Sequence, residues 1–235
     1  LVAGVVVVVW YMRKKREFLR QRFFQQINRV RMENLRSRIS PHFTFNVLGR
    51  EINQFNGSEE VKHNLMELVK YLRRSLELTE KLSVSLQDEL DFVRTYIELE
   101  RGRVGEDFVA TITVEDGLDA TRIMIPSMIV QIPVENAIKH GLAGKDGKKE
   151  LMVYVSRETN GIRITVTDNG RGYLPQVVSA TRGTGTGLKV LYQTIQLLNT
   201  KNKSDKIRFN ITNRSDGQTG TEVSVYIPFR FSYDL

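Results

Sequence analysis

An α-helical hairpin followed by an α+β sandwich domain is the fold that this 235-residue chain predicts. Two observations carry that reading. From Phe23 to Ile97 the apolar residues recur at spacings of three and four, the period of helices buried along one side. Beyond Gly105 the period drops to two, in FVATITV, LMVYVS, IRITVT, KIRFNIT and EVSVYIP, with helix-length stretches between them. An antiparallel or mixed sheet with helices on one face follows from that order. A two-helix hairpin buries its remaining stripe best as half of a four-helix bundle, so the first part predicts a dimer.

The chain opens with LVAGVVVVVW, then Tyr11, then MRKKR. A bilayer span needs about 20 apolar residues, and this run is shorter. Apolar run, aromatic pair and basic block in that order are nevertheless the pattern of a membrane exit with a cytoplasmic basic flank. Residues 1–12 are therefore read as the end of a transmembrane helix, in a sequence that starts at Leu1 rather than at methionine. A valine-rich core strand is the alternative, and the four consecutive basic residues favour the membrane. A secretory signal carries its charges before the apolar run, not after it.

Residues 13–84 read as the hairpin. In its first helix, to about Phe55, one stripe holds Phe23, Ile27 and Val30, and a second, out of phase, holds Met32, Leu35, Ile39, His42 and Asn46. Phe45, Leu48, Ile52 and Phe55 face a third way, so this helix belongs inside a bundle. The NGS at Asn56–Ser58 is a turn, and Ser58 caps a second helix with Glu59 and Glu60 in its first turn. Val61, Leu65, Leu68, Leu72 and Leu76 form its buried face. Residues 85–105 read as a connecting helix, capped by Ser85 with Asp88 in an imperfect capping box, with Leu86, Leu90, Val93 and Ile97 as its seam. Residues 106–235 form the α+β domain. Within it Pro126 opens a helix running toward His140, and a further helix spans Thr186 to Asn199.

The net charge of +8 points to an acidic partner: nucleic acid, anionic lipid or nucleotide. Much of the excess lies between Arg13 and Arg38, without a base-stacking module or recognition helix, so proximity to a membrane surface explains it better than direct nucleic-acid binding. The chain has no cysteine, which excludes disulfides and thiolate metal sites. Its three histidines form no metal-ligand cluster, and His63, among polar residues, reads as a solvated surface residue.

Three short motifs stand in the α+β domain: VENAIKH at Val134–His140 on a helix, DNGRG at Asp168–Gly172 where a strand ends, and GTGTGL at Gly183–Leu188 opening a helix. Singly each has an ordinary reading, as a polar helix residue, a turn and a flexible loop. Together they fit one chemistry. A glycine-rich loop running into a helix offers free N–H groups and a positive dipole end to phosphate. A carboxylate at a strand end accepts an amino group. An amide oxygen suits Mg²⁺.

In that order the motifs resemble the Bergerat ATP-binding (GHKL) fold of histidine kinases, gyrase-type ATPases and Hsp90-type chaperones. With PHFTFN at Pro41–Asn46 and IPSMIVQIPVENAIKHG at Ile125–Gly141, the chain resembles sensor histidine kinases of the LytS/YehU type over Leu35 to Pro228. The resemblance implies that His42 is the phosphoacceptor, autophosphorylated by Mg-ATP and passing its phosphoryl group to a response-regulator aspartate. It implies that Asn136 holds Mg²⁺, that Lys139 and His140 reach phosphates, and that Asp168 reads adenine beside Gly170 and Gly172. It makes Gly183, Gly185, Gly187 and Leu188 the second glycine box, Tyr173–Arg182 a lid over ATP, and Asn46 an orienting or dephosphorylating residue. Implied with these are a homodimer, a regulator of LytTR type, and a place at the bacterial inner membrane with the catalytic part cytoplasmic.

The opening of that box is unusual: a histidine directly after a proline, within a helical run. Pro41 costs a helix interior roughly 3 kcal/mol and can kink it to present His42 outward. From spacing alone, Ser40 as a cap with Pro41 starting a new helix and His42 on its surface is the favoured reading. A free imidazole is largely neutral at pH 7 and nucleophilic. Thr44 stands where the family has leucine, Gly49 where it has a polar residue, and Pro133 comes one place late, which bears on the helix carrying Asn136. Phe43 follows the histidine where many kinases have an acid, so no general base is assigned. Ile132 occupies the place of the hydrolytic glutamate of gyrase-type ATPases, which favours a kinase.

Overall fold

The computed structural model describes residues 10–15, 18, 22, 59–173, 186–200, 202 and 204–233. His42, Asn46, Gly183, Gly185, the apolar run 1–9 and most of the first predicted helix lie outside them, although residues 10–15 are helical. Among the described residues no helix is long and apolar enough to cross a membrane.

Helix α1 (Glu59–Glu80) begins directly after Ser58, as the acidic first turn predicts. It buries Leu68, Tyr71, Ser75 and Leu78, with Leu72 packed at the edge of the same core. Strand β1 (Ser83–Ser85) leads into α2 (Leu86–Val104). The expected cap is present: Ser85 Oγ accepts the Asp88 N–H at 3.0 Å and donates to Asp88 Oδ2 at 2.8 Å. The predicted seam of Leu86, Leu90, Val93 and Ile97 is buried, joined by Phe92 and Tyr96. Tyr71 stacks on Phe92 at 4.8 Å between centroids and lies 5.8 Å from Tyr96, which locks α1 along α2.

After β2 (Phe108–Val114) the expectation of a helix opening at Pro126 is corrected. Pro126 closes a three-residue strand, β3 (Met124–Pro126), that pairs antiparallel with β1 through Ser83↔Pro126, Val84↔Ile125 and Ser85↔Met124. A proline without an N–H is acceptable at the end of such a ladder. The helix, α3 (Gln131–Asn136), starts five residues later and runs on as a π-helical turn at Ala137–Gly141.

Strands β4 (Lys149–Glu158) and β5 (Gly161–Asp168) form a hairpin with a two-residue turn. Helix α4 spans Thr186–Asn199, and β6 (Arg208–Asn213) and β7 (Thr221–Pro228) complete the sheet. Strand order is β2-β4-β5-β7-β6, with β2 parallel to β4 and the other pairs antiparallel, so the sheet is mixed. Along β4, Leu151, Val153 and Val155 are buried while Met152 and Tyr154 are exposed, so helices cover one face only. α3 lies between α2 and α4 in that covering layer.

Leu90 is fully buried between these layers. Leu90→Ala should destabilise the chain by about 2–5 kcal/mol, read as a lower urea midpoint at unchanged slope. Met152→Ala, on the exposed face, should change stability by less than about 0.5 kcal/mol. Equal effects would contradict the one-sided core.

Candidate functional site

Two of the three motifs meet where helical backbone touches a strand end. The helical run carrying Asn136 changes at Ala137 from α to π winding, and Leu142 N–H bonds Ala137 O at 2.8 Å. π-turns are rare and widen a helix locally, often at functional sites. This one delivers Gly141 onto the turn that follows β5. A Cβ on Gly141 would lie 2.7 Å from Asp168 Oδ1 and 2.9 Å from Oδ2. A Cβ on Gly170 would run into the Gly141 carbonyl. The two backbones are therefore at contact distance, and only residues without side chains fit there. Arg171 joins the same seam, its N–H bonding Gly141 O at 3.3 Å and its Nε donating to His140 O at 2.9 Å.

Asp168 is 3% exposed. Its Oδ1 accepts the Gly170 N–H at 2.8 Å and the Thr221 N–H at 3.4 Å. Burial pushes its pKa above the ordinary carboxylate value; the Gly170 N–H, the Thr221 N–H and side chain, and the nearby Arg214 guanidinium oppose that shift without cancelling it. Asn169 fixes the turn from the other side, accepting Glu150 N–H at 2.8 Å and donating to Lys148 O at 3.0 Å.

Asn136 is half-buried, and its Nδ2 donates to Ile132 O at 2.8 Å, one turn back. That bond assigns the nitrogen to the helix and leaves the amide oxygen as the outward donor atom. Lys139 pairs with Glu135 across one turn. His140 is half-buried, and its imidazole is held below its ordinary range by burial first, then by Lys139 and Arg171. It is thus neutral at neutral pH. Gly187 and Leu188 lie in the first turn of α4, which packs against α3. Gly183, Gly185, the segment 174–185 and both residues of the His42 box fall outside the described residues.

Sequence reasoning missed four members of the site. Gly141 was the last letter of the Asn136 motif, with no signal to mark it. Thr221 contributes its backbone N–H and a side-chain hydrogen bond to Asp168, far in sequence from all three motifs. Asn213 Oδ1 accepts the Tyr173 N–H at 2.6 Å and so anchors the residue after DNGRG. Arg214 pairs with Asp216 and lies close enough to act on Asp168. All but Gly141 come from the β6–β7 hairpin, some 40 to 50 residues on in sequence.

Among the described residues no group of His, Cys, Asp and Glu is placed to hold a metal. A divalent cation here would need Asn136 together with oxygens of a ligand, the usual arrangement for Mg²⁺.

Because the folded state holds Asp168 more readily protonated than the unfolded chain does, its charge lowers stability, and stability falls as pH rises through the raised folded value. Asp168→Asn should therefore equal or exceed the wild type in unfolding free energy at pH 7. The difference should shrink as pH falls toward the ordinary carboxylate range. A variant less stable than wild type at pH 7 would show that the carboxylate is needed for the fold.

Comparison with known proteins adds the family. Residues 30–108 match the histidine kinase model, and residues 121–230 match the model of histidine kinase-, DNA gyrase B- and HSP90-like ATPases, an ATP-binding domain. Sensor histidine kinase YpdA of Escherichia coli K12 is 28% identical over 87% of this chain and 35% of its own length. Sensor histidine kinase/phosphatase LytS of Staphylococcus aureus MRSA252 is 32% identical over 80% of this chain and 33% of its own length. The chain thus spans about a third of these curated relatives. The histidine kinase domain of the Erythrobacter litoralis EL346 blue-light activated histidine kinase superimposes with a TM-score of 0.48 at 16% identity, covering 88% of this chain and 94% of that one. With both domain models matched in order along one chain, this protein carries the domain pair of the histidine kinases.

Proposed function

We propose that the chain is the kinase portion of a two-component sensor: Mg-ATP bound in residues 106–235 phosphorylates His42 in residues 13–84, with residues 85–105 connecting the two. The observation that carries this reading is the seam between Gly141 and Gly170, which brings the Asn136 helix and the Asp168 turn into one site.

The residues fit the nucleotide. Asp168 accepts two backbone N–H groups at Oδ1, a carboxylate has further acceptor sites for an exocyclic amine, and the absence of a side chain at Gly141 leaves room over that carboxyl group. Asn136 offers an amide oxygen to Mg²⁺. Lys139 and His140 stand on the next turn toward the phosphates. Gly183, Gly185, Gly187 and Leu188 lead into α4, whose first-turn N–H groups suit an anion. When bound, Mg-ATP supplies a γ-phosphoryl group poised for in-line transfer. His42 contributes the attacking imidazole nitrogen, and Asn46, one turn on, orients that ring or a water for the reverse, dephosphorylating step. The phosphoryl group then passes to a response-regulator aspartate, here proposed to belong to a LytTR-type regulator.

A homodimer is proposed from the hairpin, which buries its stripes as a four-helix bundle. Anchoring at the bacterial inner membrane through residues 1–12, with the catalytic part cytoplasmic, is proposed from the apolar run and the basic block after it. Trp10 and Lys14 already stack on one helical face, with the ammonium 5.5 Å from the ring. Aromatic and basic side chains so arranged suit a headgroup layer.

Transfer of labelled γ-phosphate from Mg-ATP to the purified chain tests the proposal. The expected product is acid-labile, base-stable label on wild type, abolished in both His42→Gln and Asn136→Ala. Label that survives His42→Gln would refute the phosphoacceptor. Steady turnover of ATP without phosphohistidine would indicate an ATPase that uses nucleotide for conformational work. Failure to bind nucleotide in calorimetry would indicate a dimeric scaffold instead.

A further inference from the structure

Glu89 is completely buried on α2, yet it belongs to none of the three motifs. Its carboxylate accepts three backbone N–H groups from a segment about 40 residues away. Met128 donates to Oε2 at 2.9 Å, and Val130 and Gln131 donate to Oε1 at 3.1 Å each. The hydrogen-bond ladder of α3 already starts there, with Ile132 N–H on Met128 O and Val134 N–H on Val130 O. These three donors are therefore orphan groups of the helix start, and a carboxylate beside them also complements the helix dipole.

Two further features show how tightly this junction is determined. Met128 has φ of 69°, the one positive value for a non-glycine among the described residues. Such a conformation persists only where the surroundings hold it. Gln131, also fully buried, donates from Nε2 to Tyr71 Oη at 3.4 Å, so α1 reaches the same helix start. The opposite end of this short helix is Asn136.

We infer that Glu89 is a positioning residue for the nucleotide site: by clamping the first turn of α3 it sets where Asn136 presents its oxygen to the cation of Mg-ATP. The inference rests on the proposed role of Asn136. Asp168 stands on β5 and is held by its own hydrogen bonds to Gly170 and Thr221, with α3 reaching it only through Gly141 beyond the π-turn, so adenine recognition should depend on Glu89 far less than cation binding does. The two contributions to affinity are therefore separable by the cation.

Glu89→Gln nearly preserves the shape. Its amide oxygen can keep the Val130 and Gln131 bonds, while its nitrogen faces the Met128 N–H, donor against donor. Calorimetry on the whole chain would compare ATP affinity with Mg²⁺ and with chelator. The Mg²⁺-dependent gain should fall by about tenfold or more in Glu89→Gln, with affinity in chelator unchanged within about twofold. Equal losses in both arms would make Glu89 merely structural and overturn the inference, as would no loss in either. A wild-type gain that vanishes in Asn136→Ala but survives in Glu89→Gln overturns the inference alone. A wild type without any Mg²⁺-dependent gain overturns the role of Asn136 and the inference with it. Amide exchange on the wild type gives a second check that needs no variant. The Met128, Val130 and Gln131 N–H groups should exchange as slowly as core strand amides; rapid exchange would overturn the clamp.

Discussion

A carboxylate removed from water must be met by donors, and the bond between Glu89 and the first turn of α3 is the constraint on which the helical layer depends. An uncompensated buried charge would cost several kcal/mol. Here three N–H groups meet it, and each of them would itself be an unsatisfied buried donor without the carboxylate. The dependence is mutual. The arrangement fixes α2 against α3 at one depth and one rotation, because shifting either helix strands four polar groups at once. Stacking of Tyr71 on Phe92 then adds α1 to the same alignment, and Ser127 Oγ donates back to Leu78 O at the end of α1.

From that fixed start the site follows by geometry. α3 is only six residues long, so an error at its first turn arrives at Asn136 almost undiminished. The π-turn then widens the helix just where its backbone must meet the strand end, and glycine on both sides permits contact. The β6–β7 hairpin closes the other side through Thr221 and Asn213. Two elements distant in sequence, the π-turn at Gly141 and the β6–β7 hairpin at Thr221, converge on Asp168. The sheet supplies the platform for this convergence: its one covered face places β5 beneath the helices, and β5 ends at the buried Asp168.

Much of this was legible beforehand, for identifiable reasons. Ser85 as a cap, the seam of α2, the strand Phe108–Val114 and the limits of α4 rest on local rules, periodicity and capping, that tertiary structure did not override. The helix opening at Pro126 failed because a proline fits a first helical turn and a strand end equally well. The choice was made by pairing with Ser83, too short a strand for alternation to show. Asn136 and Asp168 were legible because motif chemistry needs their side chains. Glu89 was not, since a glutamate three residues into an amphipathic helix is ordinarily a dipole partner in solvent. Gly141 acts through its backbone and Thr221 in part through its N–H, and backbone atoms carry no residue signature.

The burial of Asp168 shows which demand dominates at the site. A stabilising design would place a neutral group there, since burial disfavours the charged form of this carboxyl group relative to water. The opposing hydrogen bonds reduce the penalty and at the same time orient the carboxyl, with Oδ1 held by the Gly170 and Thr221 N–H groups. A group held charged against its surroundings has more to gain from a hydrogen-bond donor than one already solvated. The same desolvation that weakens the fold therefore strengthens any amine contact made there. Under the proposed reading of Asp168, stability given up at one side chain becomes discrimination for a nucleobase, with the seam at Gly141 and Gly170 keeping bulk water from that carboxyl group.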